Sequence, residues 1–256
     1  KVYNSLYKKK SSHYIDISRY AVMNLCPEKY ASDILNRFIF RYWNENKNKT
    51  IHDILSDTGY GYLNSELDKY DIEEYQFCSS INKKRFEEFF LANIDKIQEF
   101  NKPYLEAAKD YYRGIVGKWN RILVVDIGWS GTCITALEYF LKKHIKQDIY
   151  IVGTLMCTSN KKEICNDILS RRIYSYICSP ANNSDLERFM MPDRKSVEEN
   201  DLLHMPLEYM FTSTRASLVR YEKKGNGIRF ERDRNLPPNK YQIEQIQAGI
   251  SEFCEM

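Results

Sequence analysis

The residues best suited to chemistry stand in one short run, Val125-Asp-Ile-Gly-Trp-Ser-Gly-Thr132. Its carboxylate, Asp126, ends an unbroken β-branched and aliphatic stretch. Ile122 to Val125 therefore read as a strand buried on both faces. Gly128 and Gly131 are expected to give the turn its positive-φ freedom, and Ser130 and Thr132 bring hydroxyls. Thr132 then opens an apolar helix through Ile134, Leu137, Phe140 and Leu141, at spacings of three and four. A strand, a small-residue loop and a helix N-terminus aim backbone N–H groups at one spot, with the helix dipole behind them. That arrangement suits a phosphate. Asp126 cannot hold an anion directly, so its role is to accept from sugar hydroxyls or approach a metal ion. The alternative is an ordinary βα turn that uses Gly and Ser for backbone reasons alone. The run is not a P-loop, which needs a Gly-Lys-Ser/Thr ending, and it lacks the three-glycine dinucleotide spacing.

A second strand–loop–helix unit is expected near the start of the chain. His13 to Ile17 alternate like a short strand, and an apolar helix runs from Tyr20 to Leu25, closed by Pro27. Ser18 can cap that helix, and Arg19 at its start can reach an anion. The alternative is a capping serine beside a solvated arginine. His13 and His52 have no partners at metal-ligand spacing and read as structural. The seven cysteines are scattered, odd in number and without a CxxC pair. They read as reduced thiols of a cytosolic protein.

These residues need a frame. The 256-residue length allows one large α/β domain or a core with a helical cap. A net charge of +3 gives no case for nucleic acid, and no apolar run reaches transmembrane length. Lys1 to Lys10 lack a signal-peptide core and read as a polar linker, so a longer parent chain is expected. Residues 31–112 read as a helical cap or insertion. Phe86 to Phe100 form one amphipathic helix there, and Pro103 begins the next. The cap's aromatics are assigned to packing. Residues 113–221 form the central sheet unit: Asp148–Cys157 is a strand parallel to the first, Lys161–Leu169 a helix, and Arg172–Cys178 a third strand. Residues 222–256 hold a hairpin turning at Gly225-Asn-Gly227 and a last helix, Tyr241 to Phe253. The cap is expected at the C-terminal edge of the sheet, where open α/β sheets bind ligands.

The central run resembles a segment carried after the phosphatase domain by predicted hydrolases of the haloacid dehalogenase (HAD) superfamily in bacterial capsule and O-antigen loci. Ile17-Ser18-Arg19 and the C-terminal Ile246–Phe253 helix are also similar to that family. That segment in turn resembles type I phosphoribosyltransferases, whose Thr-Gly-x-Thr loop cradles the 5-phosphate of phosphoribosyl pyrophosphate (PRPP). Here one acidic residue stands where two are usual, and the loop is a residue shorter with Trp129 inside it. The resemblance implies an α/β fold with a parallel sheet, transfer of 5-phosphoribosyl from PRPP to a glycan or lipid-linked oligosaccharide, and a HAD phosphatase domain upstream in the same chain. It implies Mg²⁺ carried with the PRPP and no metal site of the protein's own. By the same resemblance Gly128, Ser130, Gly131 and Thr132 hold the phosphate, Asp126 steadies the developing cation, and Ser18 and Arg19 hold pyrophosphate. Trp129 stacks on a sugar or fills space under the loop. Glu208 and Arg215 orient or deprotonate the acceptor, or form a surface ion pair. The implied location is cytoplasmic, at the inner face of the membrane through the acceptor. A non-catalytic sugar-phosphate or glycan-binding domain and an actin-like nucleotide-binding protein stay open as alternatives.

Overall fold

A computed structural model describes residues 12–158, 170, 172–179, 183–186, 213–233 and 240–255. The fold is mixed α/β, and the chain divides into two compact units. One is a sheet unit of Lys1–Ser18, Lys109–Arg220 and Phe230–Met256, the other a helical unit of Arg19–Ala108 and Tyr221–Arg229. Among the described residues no helix is long and apolar enough to cross a membrane.

The helical unit begins with α1 (Arg19–Asn24) and α2 (Pro27–Ile34), then a π-turn over Leu35–Ile39, α3 (Phe40–Glu45) and α4 (Ile51–Asp57). A 3₁₀ stretch over Gly61–Tyr70, α5 (Ser80–Ala92) and α6 (Ile94–Val116) follow, and α6 runs on past Ala108 into the sheet unit. Two starts are fixed by reciprocal capping boxes, Thr50 with Asp53 and Ser79 with Asn82. The hydrogen bonds from Thr50 hold the Asp53 carboxyl below its ordinary range. Phe86, Phe89 and Phe90 are fully buried, as expected of packing residues. Trp43 meets Phe86 edge-on at 5.1 Å and Tyr60 meets Phe90 at 5.2 Å. The expected break at Pro103 is not there. The break falls at Asn93, whose side chain donates to the Phe89 carbonyl at 2.9 Å. Pro103 lies inside α6. The carbonyl its missing N–H leaves unpaired belongs to exposed Glu99, where water can serve it.

In the sheet unit, β1 (Arg121–Asp126), β2 (Tyr150–Cys157) and β3 (Ile173–Cys178) form a parallel sheet in that order. Helix α7 (Thr132–His144) connects the first two, as the crossover length predicts. Its side chains pack one face: a Cβ on Gly153 of β2 would stand 2.8 Å from Ile134. That near-contact explains why the middle of a central strand holds glycine. β1 is not buried on both faces as expected. Among the described residues it is an edge strand, and Leu123 and Val125 are 63% and 65% exposed. Its apolar run resembles that of a strand covered on two sides because one face is part-buried while the other carries apolar residues in the open.

Residues 13–17 form no strand. The Asp16 N–H donates to the Tyr111 hydroxyl at 2.9 Å instead of a ladder partner. A separate two-stranded sheet pairs β4 (Leu218–Lys224) with β5 (Gly227–Arg232), and its turn contains Gly225 at φ +56°. The hairpin is thus where the sequence placed it. The last helix, α8, spans Lys240–Glu255. The helix expected at 161–169 lies outside the described residues.

Candidate anion-binding loop at the end of β1

Asp126 is the last residue of β1, and α7 starts at Thr132, so five residues make the loop. Asp126 folds back on this loop. One of its carboxylate oxygens accepts from the Gly128 N–H at 3.0 Å. A Cβ on Gly128 would lie 3.1 Å from the other oxygen. Close approach, not positive φ, is therefore what Gly128 provides, which corrects the expectation. Gly131 is the residue with positive φ, at +60°. It is the N-cap of α7, and no side chain caps that helix start. A Cβ on Gly131 would meet Ile173 Cδ1 at 2.7 Å, so the loop rests against the first residue of β3. The first helical bond runs from the Thr135 N–H to the Gly131 carbonyl at 3.0 Å.

The Ser130 and Thr132 hydroxyls share a hydrogen bond at 3.0 Å. The two hydroxyls thus lie together at the start of a 13-residue helix that no side chain caps. Helix N-termini of this kind attract anions through their free amides and dipole. Trp129 is half-buried and packs against the cluster of Met156, Cys157 and Cys178, as does Ile177.

Ser18 donates its hydroxyl to the Leu218 carbonyl at 2.5 Å. Arg19 is exposed and is the first residue of α1, in the helical unit. Arg215 sits 3.5 Å from Asp16 and over the Tyr14 ring. Glu208 lies outside the described residues. Among the described residues no three His, Cys, Asp or Glu side chains gather as a metal site.

Several residues of the sheet unit were missed from sequence. Asp16 is buried, and its carboxylate pairs with Arg232 as well as Arg215. A lone acid among the apolar residues of His13–Ile17 was the available signal. Tyr176 on β3 titrates above its ordinary range because burial disfavours the phenolate, with the charges of Cys157 and Asp126 adding to the effect. Thr158 follows β2 and is fully buried. Its N–H donates to the Cys178 carbonyl at 3.1 Å, while its hydroxyl has no partner among the described residues. No protein-family model matches the chain, and no curated protein matches it.

Proposed function

We propose that the Asp126–Thr132 loop binds the 5-phosphate of PRPP, in a phosphoribosyltransferase-like enzyme that moves 5-phosphoribosyl to a glycan acceptor in polysaccharide biosynthesis. One observation carries this reading. The α7 start is free of a side-chain cap, opens from a left-handed glycine, and is flanked by two hydroxyls and one strand-end carboxylate. Ser130, Gly131 and Thr132 receive the phosphate through amides and hydroxyls. Asp126 holds one oxygen on Gly128, which fixes the carboxylate so that the other faces the sugar. There it accepts from ribose hydroxyls and stabilises positive charge developing on the ring as the bond to pyrophosphate breaks. No covalent nucleophile is needed.

A single protein carboxylate fits Mg²⁺ carried on substrate phosphates, since that ion is commonly held by one or two carboxylates plus phosphate oxygens. When bound, Mg²⁺ neutralises the departing pyrophosphate. In an actin-like ATPase the corresponding loop would join two strands of a hairpin. Here Thr132 opens a helix, and β1 pairs in parallel with β2.

The test is PRPP-dependent release of pyrophosphate with a lipid-linked or oligosaccharide acceptor, comparing wild type with Asp126→Asn. Turnover is expected to fall by about 10²–10³, the loss typical of one electrostatic contact made in the transition state. PRPP affinity, read by calorimetry with Mg²⁺, should change far less. Full activity in Asp126→Asn would overturn the assignment. Calorimetry showing PRPP binding without turnover would leave a binding domain, and binding of ATP but not PRPP would favour the actin-like alternative.

A further inference from the structure

Cys157 ends β2 and Cys178 ends β3. Both are fully buried, their sulfurs lie 2.8 Å apart, and they are not joined in a disulfide. Their juxtaposition depends on an irregularity in the ladder. Leu155 pairs with Ser175, and that register continued would set Cys157 opposite Ile177. A register shift between Leu155 and Cys157 places Cys178 there instead. Bulges that re-aim a side chain are structural devices, not defects. We propose that Cys157 and Cys178 are an oxidisable dithiol, closed to a disulfide by a hydroperoxide, and that the bond forms under the Asp126–Thr132 loop.

The spacing of neighbouring strands is compatible with the bond. Adjacent strands lie about 4.7–4.9 Å apart, inside the range of about 4.4–6.8 Å that disulfides span between Cα atoms. The sulfurs need to approach by less than an ångström to reach about 2.05 Å. In the first step one thiolate attacks a peroxide oxygen. An S–O bond forms, the O–O bond breaks, and water (or an alcohol, from an organic peroxide) leaves. In the second step the neighbouring thiol attacks the sulfenic sulfur. The S–S bond forms, the S–O bond breaks, and a second water departs with the remaining proton. The two sulfurs lose two electrons between them, and the two peroxide oxygens gain them. A neighbouring thiol captures the sulfenic acid before further oxidation, which is what favours a reversible product.

The bond would be reported at the loop. Trp129 packs against the cluster that the two cysteines form with Met156, and it sits between Asp126 and Ser130 in the chain. Formation of the disulfide therefore places a quenching group against the indole and draws in the floor on which the loop rests. This inference stands on the two strand ends and does not depend on which phosphate, if any, the loop binds.

The experiment oxidises the full chain with a small molar excess of hydrogen peroxide, then blocks remaining thiols and maps peptides without reduction. The expected product is a Cys157–Cys178 cross-link, reversed by dithiothreitol and formed ahead of links to Cys26, Cys78 or Cys133. Tryptophan emission should drop on oxidation and recover on reduction, and Trp129→Phe should abolish most of the change. Because the wild-type map needs no cysteine variant, misfolding of Cys157→Ser or Cys178→Ser would not weaken it. Sulfinic acid at either residue without the link, or preferential pairing with another cysteine, would overturn the dithiol. A correct link with unchanged Trp129 emission would overturn its coupling to the loop.

Discussion

The two faces of the parallel sheet make different use of the same residue types. One carries Ile122, Val124, Ile151, Gly153, Leu155 and Ile173, and α7 packs against it so closely that Gly153 has no room for a methyl group. The other carries Leu123, Val125, Tyr150, Tyr174 and Tyr176, each about half exposed or more. Parallel sheets are ordinarily covered on both sides. Apolar composition therefore tells where a strand runs without telling which of its faces is covered. Covering follows from which element returns across the sheet, a property of topology that no window of six residues contains.

That contrast can be broken by substitution. The largest effect should come from the covered side, where Phe140 of α7 is fully buried and meets Tyr112 at 5.3 Å. Phe140→Ala should cost about 3–5 kcal/mol, as buried aromatic truncations do, measured by urea unfolding. A loss below ~1 kcal/mol would mean that α7 is not closely packed. Gly153→Val comes next. It adds a strand-favouring side chain, yet its Cβ would stand 2.8 Å from Ile134 Cδ1 and 2.9 Å from Ile134 Cγ2. Overpacking should win, at about 1–3 kcal/mol. A stabilised Gly153→Val would show that α7 shifts freely. The smallest effect belongs to the open face: Leu123→Thr and Val125→Thr should each change stability by no more than ~0.5 kcal/mol. A loss of ~2 kcal/mol from either would mean that another surface covers this face in solution.

How much was legible in the sequence follows from the same distinction. The β1–α7–β2 unit, the third strand and the hairpin were all readable, because each is a local pattern ended by turn residues. The Ser130–Thr132 helix start was readable for the same reason. What failed turned on side-chain contacts, some local and some across the chain. Residues 13–17 alternate like a strand, but the Asp16 amide finds Tyr111 and its carboxylate finds Arg232, so no ladder forms. Pro103 reads as a helix start, yet Asn93 ends the preceding helix with its own side chain. Gly128 reads as a turn glycine, while its lack of a side chain makes room for the Asp126 carboxylate. The cysteine pair was invisible because a one-residue register shift, not a spacing in the chain, brings the two together.

The ion pair between Asp16 and Arg232 joins residues 216 positions apart, with Arg215 also on the same carboxylate. During synthesis at about 5–20 residues per second, Asp16 would leave the ribosome some 10–40 s before Arg232 is made. The helical segment and the strands of the sheet emerge in that interval. The sheet unit, which draws on both ends of the chain, is therefore completed last. A chain stopped before the β4–β5 hairpin holds Arg215 but leaves the Asp16 carboxylate without Arg232.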